Sequence, residues 1–176
     1  MSLVSRMLIS LLAISAGGCV LSDKPLFGPE TRVVPFTSGS QFEVYERANP
    51  QEPWKKRDAT ITFTANADST VSVPDIYRSQ GAQEMTFHSL GAGRFLIQIR
   101  NDKGRYAYLV LETRQDEGIA TTMICNEMDQ EAFRRAGGTV KNSECNLDSA
   151  PDPAALLKQA ASNPRGPQNR YVPVKR

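Results

Sequence analysis

The chain carries few of the residues from which reactive sites are built. Histidine occurs once, at His88, tryptophan once, at Trp54, and cysteine three times, at Cys19, Cys125 and Cys145. Two distant thiols without CxxC spacing and one remote histidine do not make a tetrahedral site, so no metal and no cofactor are expected. A G-x-S-x-G elbow is missing, which removes the usual strand–turn–helix setting of a serine nucleophile. Gly91-Ala92-Gly93 lies between two strand-like segments, and no helix follows it to aim a dipole at phosphate. Charge of one sign is lacking too. Lys and Arg number 21 against 19 Asp and Glu, a net charge of +2, so no basic face suited to nucleic acid is implied. Past Cys19 no apolar run is long enough to cross a membrane. A non-enzymatic protein is the reading these absences leave.

What is present begins at the N-terminus. Arg6 gives a short positive region, Met7-Leu8-Ile9-Ser10-Leu11-Leu12-Ala13-Ile14 is a short apolar core, and the small residues Ala16-Gly17-Gly18 lead into Cys19. This stretch resembles the signal peptide and lipobox of bacterial lipoproteins. It departs from their pattern at Ala16, where a large aliphatic residue is usual. The resemblance implies that the Cys19 thiol is acylated, as by palmitate, and becomes the new N-terminus. It further implies an outer-membrane lipoprotein on the periplasmic side, because Val20 stands where an inner-membrane retention signal would place Asp. The same small residues also suit an ordinary secretory cleavage site, with Cys19 a bystander. Cysteine parity separates the two readings, since an odd thiol in an exported protein calls for an explanation. Acylation of Cys19 removes the odd one. Cys125 and Cys145 then form a disulfide across a loop of about twenty residues, the default for a pair in an oxidising compartment.

Residues 19–31 read as a tether, with Leu26-Phe27 free to dock on the domain, and residues 32–162 as a single β-rich periplasmic domain. Its dominant signal is alternation. Phe42 and Val44 face one way, as do Ile61 and Phe63, Val71 and Val73, Met85 and Phe87, and Phe95, Ile97 and Ile99. Strands near 85–89, 94–100, 105–114 and 118–125 follow one another through short turns, which predicts a meander. Tyr106 to Leu111 is apolar on both faces and is expected to be covered on both sides. The fold class is mainly β, a small antiparallel β-barrel or sandwich of about 7–8 strands with two short C-terminal helices. The first helix is expected from an Asn126 cap to Gly137, the second from Asp152-Pro153 to Asn163. Residues 163–176 form a basic, proline-rich tail, expected to be extended or disordered.

His88 shares the outer strand face with Thr86 and is expected to be solvated; a Ser-His-Asp arrangement around it is the third, enzymatic reading. Trp54, Lys55, Lys56 and Arg57, with Arg165, Arg170, Tyr171, Lys175 and Arg176, are candidates for contact with membrane lipid, envelope proteins or anionic envelope polymers. The bland alternatives are a Trp54 that plugs a barrel end and solvated cations. The expected function is a structural or partner-binding role in the cell envelope. The runner-up is a small β-barrel ligand carrier or inhibitor with an apolar interior open at one end, and an open cavity would favour it.

Overall fold

Alternating β-branched and aromatic residues drive eight strands to close on themselves. The computed structural model describes residues 18–174, so the expected signal peptide (apart from Gly18), Lys175 and Arg176 lie outside the described residues. The strands are β1 (Val20–Ser22), β2 (Arg32–Val33), β3 (Ser40–Arg47), β4 (Lys55–Ala65), β5 (Val71–Ser72) and β6 (Ala82–Gly91). They continue with β7 (Arg94–Asn101), β8 (Tyr106–Arg114), β9 (Glu117–Thr122), β10 (Thr139–Lys141), β11 (Glu144–Asn146) and β12 (Gln168–Pro173). Around the barrel the order is β3-β4-β5-β6-β7-β8-β9-β12, closing on β3, every pairing antiparallel. The expected meander is β6 to β9. The barrel alternative of the two predicted architectures is the one formed.

Inward positions on each strand fill the barrel: Phe42 and Val44, Ile61 and Phe63, Met85 and Phe87, Ile97 and Ile99, Leu109 and Leu111, with Ala120 and Tyr171. A second apolar cluster lies outside the wall. Leu96, Tyr108 and Val110 point outward and are covered by Val20, Leu147 and two helices, α2 (Gln130–Arg135) through Phe133 and α3 (Pro153–Ala160) through Leu156 and Leu157. β8 is therefore buried on both faces, as its sequence predicts. The Sγ atoms of Cys125 and Cys145 lie at bonding distance inside this cluster, both residues fully buried.

Four sequence expectations are revised. The first C-terminal helix is capped by Asp129, whose Oδ1 accepts the Ala132 N–H at 2.9 Å, and residues 125–127 ahead of it form a separate 3-10 turn rather than its first turn. A third helix, α1 (Asp75–Arg78), stands between β5 and β6 and was too short to show a period. Residues 19–31 are not a free tether. Val20 is already in the sheet, paired with Cys145 in parallel, and Leu21 pairs with Ala107. Asp23 N–H then donates to both carboxylate oxygens of Asp148, 3.0 and 2.9 Å away, and residues 26–33 run along the outer wall as a strap. Finally, the tail is no tail. Gln168–Pro173 is the last stave of the barrel, between β3 and β9.

Candidate functional site

The barrel is closed at one end and open at the other. α1 leads into the Ala82 end of β6 and turns Tyr77 inward, where it is buried and its hydroxyl hydrogen-bonds the Tyr171 hydroxyl. Burial pushes the Tyr77 hydroxyl up to about 12 and raises that of Tyr171 well above its usual range, so the pair is neutral at any physiological pH. At the opposite end a cavity of about 630 Å³ opens among the loop before β3, the β8–β9 turn and the end of β12. Its wall is aromatic: Phe36, Phe42, Phe63, Phe87 and Tyr171, with Ile97 and Leu111 beside them. Phe36 stacks on Phe63 with ring centroids 4.7 Å apart, and Phe63 meets Phe87 and Tyr171 edge-on at 6.2 and 5.6 Å. Its lip is polar, with Ser38, Ser40, Gln41, Thr113, Asp116 and Glu117. An eight-stranded barrel is just wide enough to be filled by side chains or to hold one small molecule. Here the closed end is filled, and the mouth keeps room within the range of small-ligand pockets.

His88 is on the outer face, as the alternation requires, but it is not solvated. The strap covers it, leaving 1% of its surface accessible. Thr31 Oγ1 donates to the Gly28 carbonyl (3.1 Å), so it accepts from His88 Nδ1–H at 2.8 Å, and Thr86 Oγ1 donates to Nε2 at 2.9 Å. The Phe27 ring lies 5.2 Å away, and Gln98 Oε1 accepts the Leu26 N–H (3.0 Å), clamping the strap backbone above it. Both ring nitrogens are committed to threonines, and no carboxylate orients the ring, so this histidine has a structural part. Desolvation lowers its pKa to about 4, the Arg32 guanidinium adding to the effect while Thr31 and Glu30 oppose it. Folded His88 thus binds its proton less tightly than the 6.5 of an exposed imidazole. The unfolded chain holds more protons between the two values, and stability falls as pH drops through that window. Wild type should lose about 2 kcal/mol between pH 7 and pH 5 from this group. Denaturant unfolding of wild type and His88→Gln at both pH values checks it, and an equal loss in the two proteins would refute the assignment.

The predicted contact residues separate on the barrel. Trp54 is half-buried in the connection between β3 and β4, with the Arg47 guanidinium 4.1 Å from its ring centroid. Lys56 pairs with Glu43 at 2.6 Å, Arg57 with Glu46 at 3.5 Å, and Arg170 with Glu117 at 2.7 Å. Tyr171 points into the barrel; Lys55 and Arg165 are exposed. Cys19 bridges to Ile124, its carbonyl accepts the Cys145 N–H at 3.2 Å, and burial together with the Glu144 carboxylate raises its thiol pKa. Among the described residues no group of three potential metal ligands gathers, and no helix is long and apolar enough to cross a membrane.

From the sequence, Phe42, Phe63 and Phe87 are inward strand positions, Tyr171 is a candidate contact residue and Phe36 carries no signal. An apolar interior open at one end is the runner-up there, without the residues that form its mouth. Their convergence depends on barrel closure, for which the only local signal was the strand count. A scan of protein-family models, a search of curated proteins and a search of solved structures each return no match.

Proposed function

We propose that this protein is a lipid-anchored, non-catalytic component of the cell envelope that binds a small apolar molecule in the mouth of its barrel. The anchor is the acyl chain on Cys19, at the periplasmic side of the outer membrane. The cavity carries the ligand-binding part: an open, aromatic-walled space with a polar lip is what a ligand site requires. The anchor then dictates orientation. β9 starts at the mouth with Glu117 and Gly118 and ends beside Ile124, the neighbour of Cys19. At about 3.3 Å per residue these points are roughly 20 Å apart. With no linker between Cys19 and β1, the domain rests against the bilayer and its mouth opens toward the aqueous space.

Two measurements test the two parts separately. Metabolic labelling with a fatty-acid probe should mark the wild type and vanish in Cys19→Ser; wild type without label sinks the anchor. For the mouth, the neutral dye N-phenyl-1-naphthylamine should brighten on binding with a single saturable site. Ser40 shares the inward face with Phe42 and Val44 at the lip, so Ser40→Trp should fill the cavity and weaken dye binding at least tenfold with little change in melting temperature. A fully retained dye signal would move the site to the groove of about 510 Å³ between α2 and α3, walled by Met128, Phe133 and Leu156. That groove is the observation favouring the second reading, a surface for an envelope partner.

A further inference from the structure

The charges around the mouth discriminate among the apolar molecules it could hold. Of the described residues lining the cavity, Asp116 and Glu117 are the charged ones, and both are acids. Among the described residues the nearby cations are directed elsewhere. The Arg170 guanidinium clasps Glu117 through two hydrogen bonds of 2.9 Å. Arg94 reaches Glu112 at 3.3 Å and the Ala161 carbonyl at 2.5 Å, on the outer wall. Arg114 is almost fully exposed and leans toward Glu112. Glu117 is therefore paired, while Asp116, exposed in the β8–β9 turn at the lip, makes no ion pair among the described residues.

Below the lip the wall offers aromatic faces, the other natural partner of a cation. An anionic head group would find like charge at Asp116 and a ring of π faces, with no guanidinium or ammonium among the described lining residues. A protonated amine would find opposite charge at the lip and π electron density beneath it.

We propose that the mouth selects cationic amphiphiles, molecules with an apolar body and a protonated amine head, over fatty carboxylates of the same length. This rests on the mouth being a ligand site, and it adds what that ligand is. The apolar body packs against Phe36, Phe63, Phe87 and Leu111, and the ammonium stays at the lip within reach of Asp116. The partly wet lip limits the Coulomb gain or loss to about a factor of ten for each sign of charge, and it fades as salt rises.

The test uses three ligands that differ only in head group: dodecylammonium, dodecanol and dodecanoate. Each displaces N-phenyl-1-naphthylamine from the protein below its micelle concentration, with circular dichroism confirming that the fold persists. Dodecylammonium should displace the dye at roughly tenfold lower concentration than dodecanol, and dodecanoate at roughly tenfold higher. Asp116→Lys, an exposed turn substitution, should reverse the order of the two charged ligands. Equal potency of all three, or an order unchanged by Asp116→Lys, overturns the charge selection while leaving the mouth a ligand site. Displacement by none, or dye binding that survives Ser40→Trp, removes the site and this proposal with it.

Discussion

Deleting residues 164–176 should leave a chain that no longer folds cooperatively. β12 lies between β3 and β9, with Tyr171 opposite both Val44 and Gly118 and Asn169 opposite both Glu46 and Ala120. Without it the two flanking strands face each other across a gap of about two strand spacings, roughly 10 Å, too wide to bridge by hydrogen bonds. Each then exposes a row of unpaired N–H and C=O groups, the edge that invites aggregation. The interior also loses Tyr171 and with it the hydroxyl partner of Tyr77. The expected result is loss of the sharp thermal transition in circular dichroism and recovery of the truncated chain in the insoluble fraction. A truncated chain melting at the wild-type temperature would show that the barrel closes without its eighth stave. A milder probe of the same closure is Gly166→Ala. Gly166 has φ +152°, and a Cβ there would run into the Thr122 carbonyl oxygen just before β12 enters the wall. It should cost about 1–3 kcal/mol through backbone strain.

That strand also shows where the sequence stops being readable. β6 to β9 are legible because Gly- or Asp-bearing turns separate them and because alternation is plain in Met85 and Phe87, in Phe95, Ile97 and Ile99, and in Ala107, Leu109 and Leu111. β8 is legible as doubly buried because Tyr108 and Val110 are as apolar as Leu109 and Leu111. In β12 the inward residues are Asn169 and Tyr171, the outward ones Arg170 and Val172, and a proline ends it. One polar inward position defeats a two-fold pattern of four residues, and the flanking Pro164, Pro167 and Pro173 read as linker. Pro173 is tolerated because it stands at the strand's last position. β1 and α1 fail for shortness alone. His88 fails for another reason: its alternation assigns the correct face, but what covers that face comes from residues 26–33, sixty positions away. The strap's own signal was a pair of apolar residues, Leu26-Phe27, and nothing in them names the wall they meet. Cys125 and Cys145 are the opposite case, where cysteine parity and an expected oxidising compartment point to the pair that the fold brings to bonding distance.

Replacing that pair should lower stability more than any other double substitution of small residues outside the barrel. Cys125 and Cys145 close a loop spanning 20 residues, whose cross-link is worth about 3 kcal/mol in the chain-entropy model. Two features add to this. Both residues are fully buried in the outer cluster, so Cys→Ser at each site puts a hydroxyl among Val20, Tyr108, Val110 and Leu147, where an unpartnered polar group costs another kilocalorie or more. The bridge also fastens the start of α2's approach to β11, and β11 in turn holds β1 through the Val20–Cys145 and Leu21–Asn146 pairs. The double variant Cys125→Ser/Cys145→Ser should therefore lose about 3–5 kcal/mol, a drop of roughly 10 °C in melting temperature for a chain of this size. Cys125→Ala/Cys145→Ala, which removes the cross-link but buries no hydroxyl, should recover part of the loss and isolate the loop term. The barrel does not need the bridge to close, because none of its eight strands contains either cysteine. Dye binding at the mouth should accordingly survive in both variants at temperatures below their transitions. If mouth binding disappears together with the bridge, the outer cluster and the barrel are one cooperative unit, coupled through the two faces of β8.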